Sequence, residues 1–105
     1  MKKSVLAIVG GLGKIGIQIA IELSKVFEYF VFIDSEKATE QQIACLEQGL
    51  KIQYSVETVD INNTTQVVNI LEKYEVDTCV GAVPSFMQYE AAKAAAQYGK
   101  CDYFD

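Results

Sequence analysis

"VLAIVGGLGKIG", Val5 to Gly16, sets four glycines within seven residues directly behind an apolar run. It reads either as a phosphate-binding turn or as a loop closing a buried strand, and the remainder of the chain decides between them. Ser4 to Val9 is short, apolar and of β-branched character, as a strand buried on both faces would be. From Lys14 to about Phe27 the spacing turns helical: Ile15, Ile19, Leu23 and Val26 share one stripe, with Gly16 and Ala20 beside it. Gln18, Glu22 and Lys25 take the opposite side. Ile17 and Ile21 fall roughly 200–240° around from Ile15, away from that stripe. Left outside, they would pack on a downstream part of the protein or on a partner copy.

Alternation continues to the last residue. "YFVFID", Tyr29 to Asp34, is a second strand ending in an acid, followed by a polar helix over about Glu36 to Gln48 with Ile43 and Leu46 inward and Gly49 as its C-terminal cap. "KIQYSVETVD" reads as a third strand ending near Asp60. Asn62 or Asn63 then caps a helix carrying Val67, Val68, Leu71 and Tyr74. "DTCVGAV", Asp77 to Val83, is a fourth strand; Pro84 and Ser85 open an Ala-rich helix from about Phe86 to Tyr98, which Gly99 ends. "CDYFD" is a short fifth strand. Helical crossovers between successive strands specify an α/β domain, a Rossmann-like doubly wound parallel sheet with helices on both faces. The expected strand order is 3-2-1-4-5.

Composition narrows the chemistry. The chain has 105 residues, half of them hydrophobic, enough for one globular domain. A net charge of -5 argues against a nucleic-acid partner. There is no His, and all nine basic residues are Lys. The chain therefore offers no imidazole base, no His metal ligand and no Arg fork for a carboxylate or phosphate. Catalytic residues and metal ligands are accordingly expected to be absent from it. Cys45, Cys79 and Cys101 form no C-x-x-C pair and read as small buried side chains in a reducing compartment. Lys2-Lys3 before an apolar run imitates a signal peptide, but the run breaks at Gly10-Gly11 and lacks an A-x-A-like site. No stretch approaches the roughly 18 apolar residues of a membrane span. A cytoplasmic protein with no membrane partner is expected.

In this context the glycines gain meaning. Gly11, Gly13 and Gly16 satisfy G-x-G-x-x-G between a strand and a helix: the first for a tight turn, Gly13 for close approach of a pyrophosphate, Gly16 for close packing of helix on sheet. The helix N-terminus then faces the phosphates. Asp34 follows Gly16 by 18 residues, near the spacing of the acid that binds a ribose 2′-hydroxyl. Its charge, with Glu36 beside it and no Arg in the chain, favours NAD over NADP. Gly10, Gly13 and Gly16 also satisfy G-x-x-G-x-x-G, the spacing of short-chain dehydrogenases and sugar-nucleotide epimerases. Tyr89 and Lys93 match the Y-x-x-x-K of those enzymes, but on the helix after the fourth strand instead of the fifth.

Across its whole length the chain resembles the N-terminal cofactor-binding domain of the saccharopine dehydrogenase family. The resemblance lies in "GGLGKIG", the acid of "VFIDSEK", "VETVDINN", and above all "VGAVPSFMQYEAAKAAAQYGKCDYFD". It implies that Gly11, Leu12, Gly13, Lys14 and Ile15 hold the pyrophosphate, and that Asp34, with Ser35, holds the adenosine ribose. It implies further that Asp60 and Ile61 border the adenine, while Ala82, Val83 and Pro84 line the path to the nicotinamide ribose. The alternative reading of Asp60 is a turn or cap residue, and of Pro84 a helix initiator. The family uses NAD(P) to make or break C–N bonds of amino acids, with catalytic and substrate-binding parts beyond this domain. The chain is then a cofactor-binding fragment, inactive alone, whose partner is a downstream domain or a second copy. Two other readings stay open: a nucleotide-sensing module of the kind that gates potassium transport, and an epimerase or short-chain dehydrogenase fragment.

Overall fold

A computed structural model describes residues 2–49 and 53–105. Five parallel strands, β1 (Val5–Val9), β2 (Tyr29–Asp34), β3 (Gln53–Thr58), β4 (Thr78–Gly81) and β5 (Asp102–Phe104), lie in the order β3-β2-β1-β4-β5. That is the expected Rossmann-like order. Between them run α1 (Lys14–Glu22), α2 (Glu40–Gly49), α3 (Thr64–Lys73) and α4 (Gln88–Tyr98).

Strand alternation divides the core in two. Leu6 and Ile8 of β1 with Phe30 and Phe32 of β2 face Ile17 and Ala20 of α1 and Leu46 of α2. Val5, Ala7, Val9, Val31 and Ile33 point the other way, onto Val67, Ile70 and Leu71 of α3 and Ala91, Ala94 and Ala95 of α4. Every residue of β1 is buried, because the central strand of a doubly covered sheet has no solvent face.

The helices differ from the sequence reading where local hydrogen bonding outweighs periodicity. α1 stops at Glu22, not Phe27: the Ser24 hydroxyl takes the Ile21 carbonyl at 2.8 Å, and Val26 and Phe27 turn back onto Leu23. Its inward face is Gly16, Ile17 and Ala20, whereas Ile15 is 70% exposed and Val26 64%. Ile21 packs in the same cluster, against α2 at Gly49. Ile17 and Ile21 therefore seal α1 to its own neighbour, and the expectation that they wait for a downstream partner is overturned. The stripe drawn from Ile15 ignored α2, which flanks α1 and widens the buried arc.

α2 begins at Glu40, not Glu36, because Thr39 and Gln42 form a reciprocal cap: Thr39 N donates to Gln42 Oε1 at 2.8 Å and Gln42 N to Thr39 Oγ1 at 3.1 Å. Gly49 is the last helical residue rather than a cap beyond the helix. The expected start of the third strand at Lys51 and Ile52 lies outside the described residues. Strand β3 ends at Thr58, short of Asp60, and β4 spans four residues, not seven. Asn63 caps α3 as expected, accepting from Gln66 N at 3.2 Å. A single 3-10 turn, Ser85–Met87, closed by Met87 N on the Pro84 carbonyl, delays α4 to Gln88; Gly99 ends it in the left-handed region at φ 73°.

Of the cysteines, Cys79 is buried and its thiol is pushed up to about 12 by desolvation. Cys45, in contrast, is exposed, which corrects the reading of all three as buried. Desolvation also pushes the half-buried Cys101 thiol up.

One ionic cluster links β3 to α3. Tyr74 Oη donates to Glu57 Oε2 at 2.5 Å and Lys73 Nζ at 3.0 Å, and chiefly the Tyr74 bond holds the Glu57 carboxyl below its ordinary 4.5. A carboxylate held better in the folded than in the unfolded chain stabilises fully above about 4.5, and loses that contribution as pH falls through the lower folded value. Melting curves of the wild type and Glu57→Gln should thus differ at about pH 6 and converge toward about pH 3. A difference that persists unchanged in acid would contradict this role.

Candidate functional site

The carboxyl ends of four strands are stitched into one rim. Gly10 N donates to the Ile33 carbonyl at 2.7 Å, Ala82 N to the Val9 carbonyl at 2.8 Å, and Val59 N to the Asp34 carbonyl at 2.9 Å. These bonds bring the glycine turn after β1, the acid ending β2, the segment after β3 and the turn after β4 side by side. Ligands of open α/β sheets bind at this rim, where strand order reverses about the first strand.

Within the turn the glycines divide differently from the motif reading. Gly10, which the G-x-G-x-x-G spacing does not need, is the residue in the left-handed region, at φ 77°. It is also close-packed, since a Cβ there would lie 2.8 Å from the Ala82 carbonyl oxygen. Gly11 is not the left-handed residue; it is needed because a Cβ would stand 2.7 Å from both the Ile8 carbonyl oxygen and the Phe32 ring. Gly16 lies flat on Gly11, with a Cβ position 2.6 Å from the Gly11 Cα. Gly13 is unlike these three. Its φ of -70° suits any residue, and a Cβ there meets nothing nearer than the Gly10 carbonyl oxygen at 3.6 Å. The fold itself does not require glycine at 13, and the space beside it is open to a ligand approaching the backbone.

Asp34 closes the other side. Its Oδ2 accepts from Leu12 N at 3.2 Å, and its Oδ1 from Ser35 N at 2.8 Å. Leu12, Gly13, Asp34, Glu36, Lys37, Thr39 and Gln42 line a cleft of about 260 Å³. Two carboxylates and one ammonium thus face a space bordered by the glycine turn. Gln42, which sequence reasoning missed, straps this turn to α2 by donating from Nε2 to the Leu12 carbonyl at 2.8 Å. Its signal was the T-x-x-Q cap that also starts α2.

The other candidate residues are placed as follows. The Leu12 side chain is buried, so only its backbone faces the cleft. Gly13, Lys14 and Ile15 are exposed at the opening of α1, and Ser35 is exposed beside Asp34. Asp60 is exposed but accepts Asn62 N at 2.9 Å, so it also builds a turn. Ile61 lies in the core at 3% exposure, and its side chain cannot border an adenine; burial against α3 leaves only its backbone for a ligand. Ala82 and Val83 are half-buried against Gly10, and Pro84 is exposed before the 3-10 turn. Tyr89 and Lys93 sit one turn apart on α4, the ammonium 5.9 Å from the ring centroid.

A larger cavity, about 450 Å³, lies elsewhere, at the amino ends of the strands between Lys2, Glu72, Asp77, Tyr98 and Lys100. There Lys2 pairs with Asp77 at 2.9 Å, and Asp77 also accepts Val5 N, tying the chain start to β4. We assign that cavity to structure and the smaller cleft to function, because only the latter joins the glycine turn to the strand-ending acid. Among the described residues, no group of three or more Cys, Asp or Glu is placed to hold a metal ion. No described helix is long and apolar enough to cross a membrane.

Comparison with known proteins follows the same geometry. The family model described as "Saccharopine dehydrogenase NADP binding domain" matches residues 6–105. The chain belongs to this family. Its fold is shared with a ketoreductase domain from the bacillaene assembly line, at TM-score 0.77 and 15% identity, covering 96% of this chain and 31% of that one. It is shared with UDP-glucose 4-epimerase from Bifidobacterium longum in complex with NAD+ and UDP, at TM-score 0.76 and 11% identity, covering 95% and 36%. Leucoanthocyanidin reductase from Vitis vinifera, in a binary complex with NADPH, gives TM-score 0.71 and 20% identity, covering 96% and 35%. The saccharopine dehydrogenase-family chain thus spans about a third of the length of these structures. No curated protein matches it in sequence. As a member of this family, it is an NAD(P)-binding Rossmann domain.

Proposed function

We propose that the chain is the cofactor domain of a saccharopine dehydrogenase-like oxidoreductase acting on C–N bonds of amino acids, with NAD(H) preferred over NADP(H). The observation that carries the cofactor reading is the cleft in which Asp34, hydrogen-bonded to Leu12 N of the glycine turn, faces Gly13. In this reading Asp34 accepts from the adenosine ribose hydroxyls, aided by Ser35, and the backbone from Gly11 to Ile15 holds the pyrophosphate. The space beside Gly13 and the opening of α1 fit that group. Asp60 and the Ile61 backbone border the adenine; Ala82, Val83 and Pro84 line the way to the nicotinamide ribose. When bound, the nicotinamide takes or gives a hydride, while this chain binds and orients.

The substrate class rests on the family resemblance. Acid/base residues and the substrate pocket would come from a further domain of the same protein or a partner copy, so the 105 residues alone would be inactive. Unbridged cysteines suit a cytoplasmic protein.

The preference for NAD rests on charge, although the family is described by NADP. A 2′-phosphate in the cleft would meet the Asp34 and Glu36 carboxylates, with only the Lys37 ammonium lining the same space to offset them. Calorimetric titration should give NADH the smaller dissociation constant by about ten-fold or more. Tighter binding of NADPH would sink the preference.

A further inference from the structure

The turn after β4 is held by a side-chain network that neither the motif nor the family description assigns. Gln88, the first residue of α4, donates from Nε2 to the Gly81 carbonyl at 2.9 Å and to the Val83 carbonyl at 3.0 Å. Its Oε1 accepts from the Tyr103 hydroxyl of β5 at 2.5 Å. Carbonyls only accept, so the amide nitrogen must face the turn and the amide oxygen must face the phenol. Desolvation pushes the Tyr103 hydroxyl up to about 12, so it stays protonated well into alkaline pH. Any side chain at Gly81 would run into both partners.

The two carbonyls flank Ala82, whose own oxygen and N–H are turned to the β1 side. Ala82 N donates to Val9, and the Ala82 carbonyl and Val83 Cγ1 crowd Gly10. Gln88 therefore sets where the turn after β4 stands relative to the glycine turn. Gln88 also serves the fold at one of the two carbonyls: Gly81 is buried and its carbonyl needs a partner, whereas Val83 is half-buried beside exposed Pro84.

We infer that Gln88, braced by Tyr103, is a positioning residue for the nicotinamide half of the dinucleotide, fixing the Gly81–Pro84 turn against Gly10. The inference rests on the reading that Ala82, Val83 and Pro84 line the nicotinamide ribose. It concerns one half of the ligand only, which makes it separable from the cofactor reading as a whole.

The test compares NADH with ADP, which lacks the nicotinamide riboside, on the wild type, Gln88→Met and Tyr103→Phe. Gln88→Met keeps the side-chain length and removes every polar atom; Tyr103→Phe removes only the brace. Gln88→Met should raise the NADH dissociation constant about ten-fold, and leave that of ADP within about two-fold of the wild type. Tyr103→Phe should weaken NADH in the same direction by about three-fold, and bound NADH should show an altered nicotinamide emission in both variants. NADH and ADP weakening equally would mark a merely structural role and overturn the inference, as would unchanged NADH binding. A wild type that binds neither ligand would overturn the cofactor reading itself, and the inference with it.

Discussion

Replacing Asp34 with alanine should weaken NADH binding by about 2–3 kcal/mol, roughly 30- to 150-fold, the range for hydrogen bonds to a charged group. The carboxylate has two tasks: it accepts Leu12 N and Ser35 N within the protein, and its remaining lone pairs face the cleft. Asp34→Asn separates them. An amide oxygen can still accept from Leu12 N, and the N–H of exposed Ser35, which loses its acceptor, can turn to water, so this variant should melt within about 1 kcal/mol of the wild type. It should nevertheless bind NADH more weakly, and the ratio of NADPH to NADH affinity should rise, because the repulsion of a 2′-phosphate is reduced. Titrating both dinucleotides against both variants checks this; an Asp34→Ala protein that binds NADH as tightly as the wild type would remove Asp34 from the site.

Gly16→Ala should be the most damaging single methyl in the domain. The added carbon would stand 2.6 Å from the Gly11 Cα and carbonyl oxygen, and 2.7 Å from its carbonyl carbon. All three are backbone atoms of a turn itself pressed on Ile8 and Phe32, so no flexible side chain can swing aside. Relief requires α1 to move off the sheet, parting Ile17 and Ala20 from Leu6, Ile8, Phe30 and Phe32. Overpacking of this kind costs about 3 kcal/mol, or roughly 10–20 °C in melting temperature for a domain of this size. Calorimetric melting measures it directly, and a variant within about 2 °C of the wild type would show that the helix does not lie on the turn as described.

Much of this was legible in the sequence, for identifiable reasons. Strands β1 and β2 are buried on both faces and read as unbroken apolar runs, and the mononucleotide-binding pattern pointed to the order 3-2-1-4-5. Asp34 was found by its spacing from the glycines. What failed depended on neighbours in space. Ile17 and Ile21 looked outward because a helical wheel knows one partner, and α1 has two, the sheet and α2. Ile61 looked like a ligand contact because its position past β3 is right, yet its side chain turns into the core on α3. Gly10 looked redundant because a motif counts spacings, whereas its need for glycine comes from a left-handed backbone and the approach of Ala82 across the sheet. Gln88 was invisible because it holds backbone carbonyls, and no residue pattern announces an acceptor; the T-x-x-Q cap marked Gln42 as a helix start but not as the strap on Leu12.

Gly13 separates the proposed ligand-binding role of the turn after β1 from its part in the fold. Gly10, Gly11 and Gly16 each have an internal reason to be glycine, so substituting them damages fold and binding together. Gly13 has an ordinary φ and room for a methyl group. The decisive measurement is therefore Gly13→Ala, melted and titrated with NADH side by side with the wild type. Gly13→Ala should keep its stability within about 1 kcal/mol of the wild type, the lower chain entropy of alanine offsetting its weaker N-cap, and should lose NADH affinity about ten-fold or more if the methyl occupies the space proposed for the pyrophosphate. A Gly13→Ala protein that binds NADH like the wild type, with stability intact, would contradict the ligand-binding role.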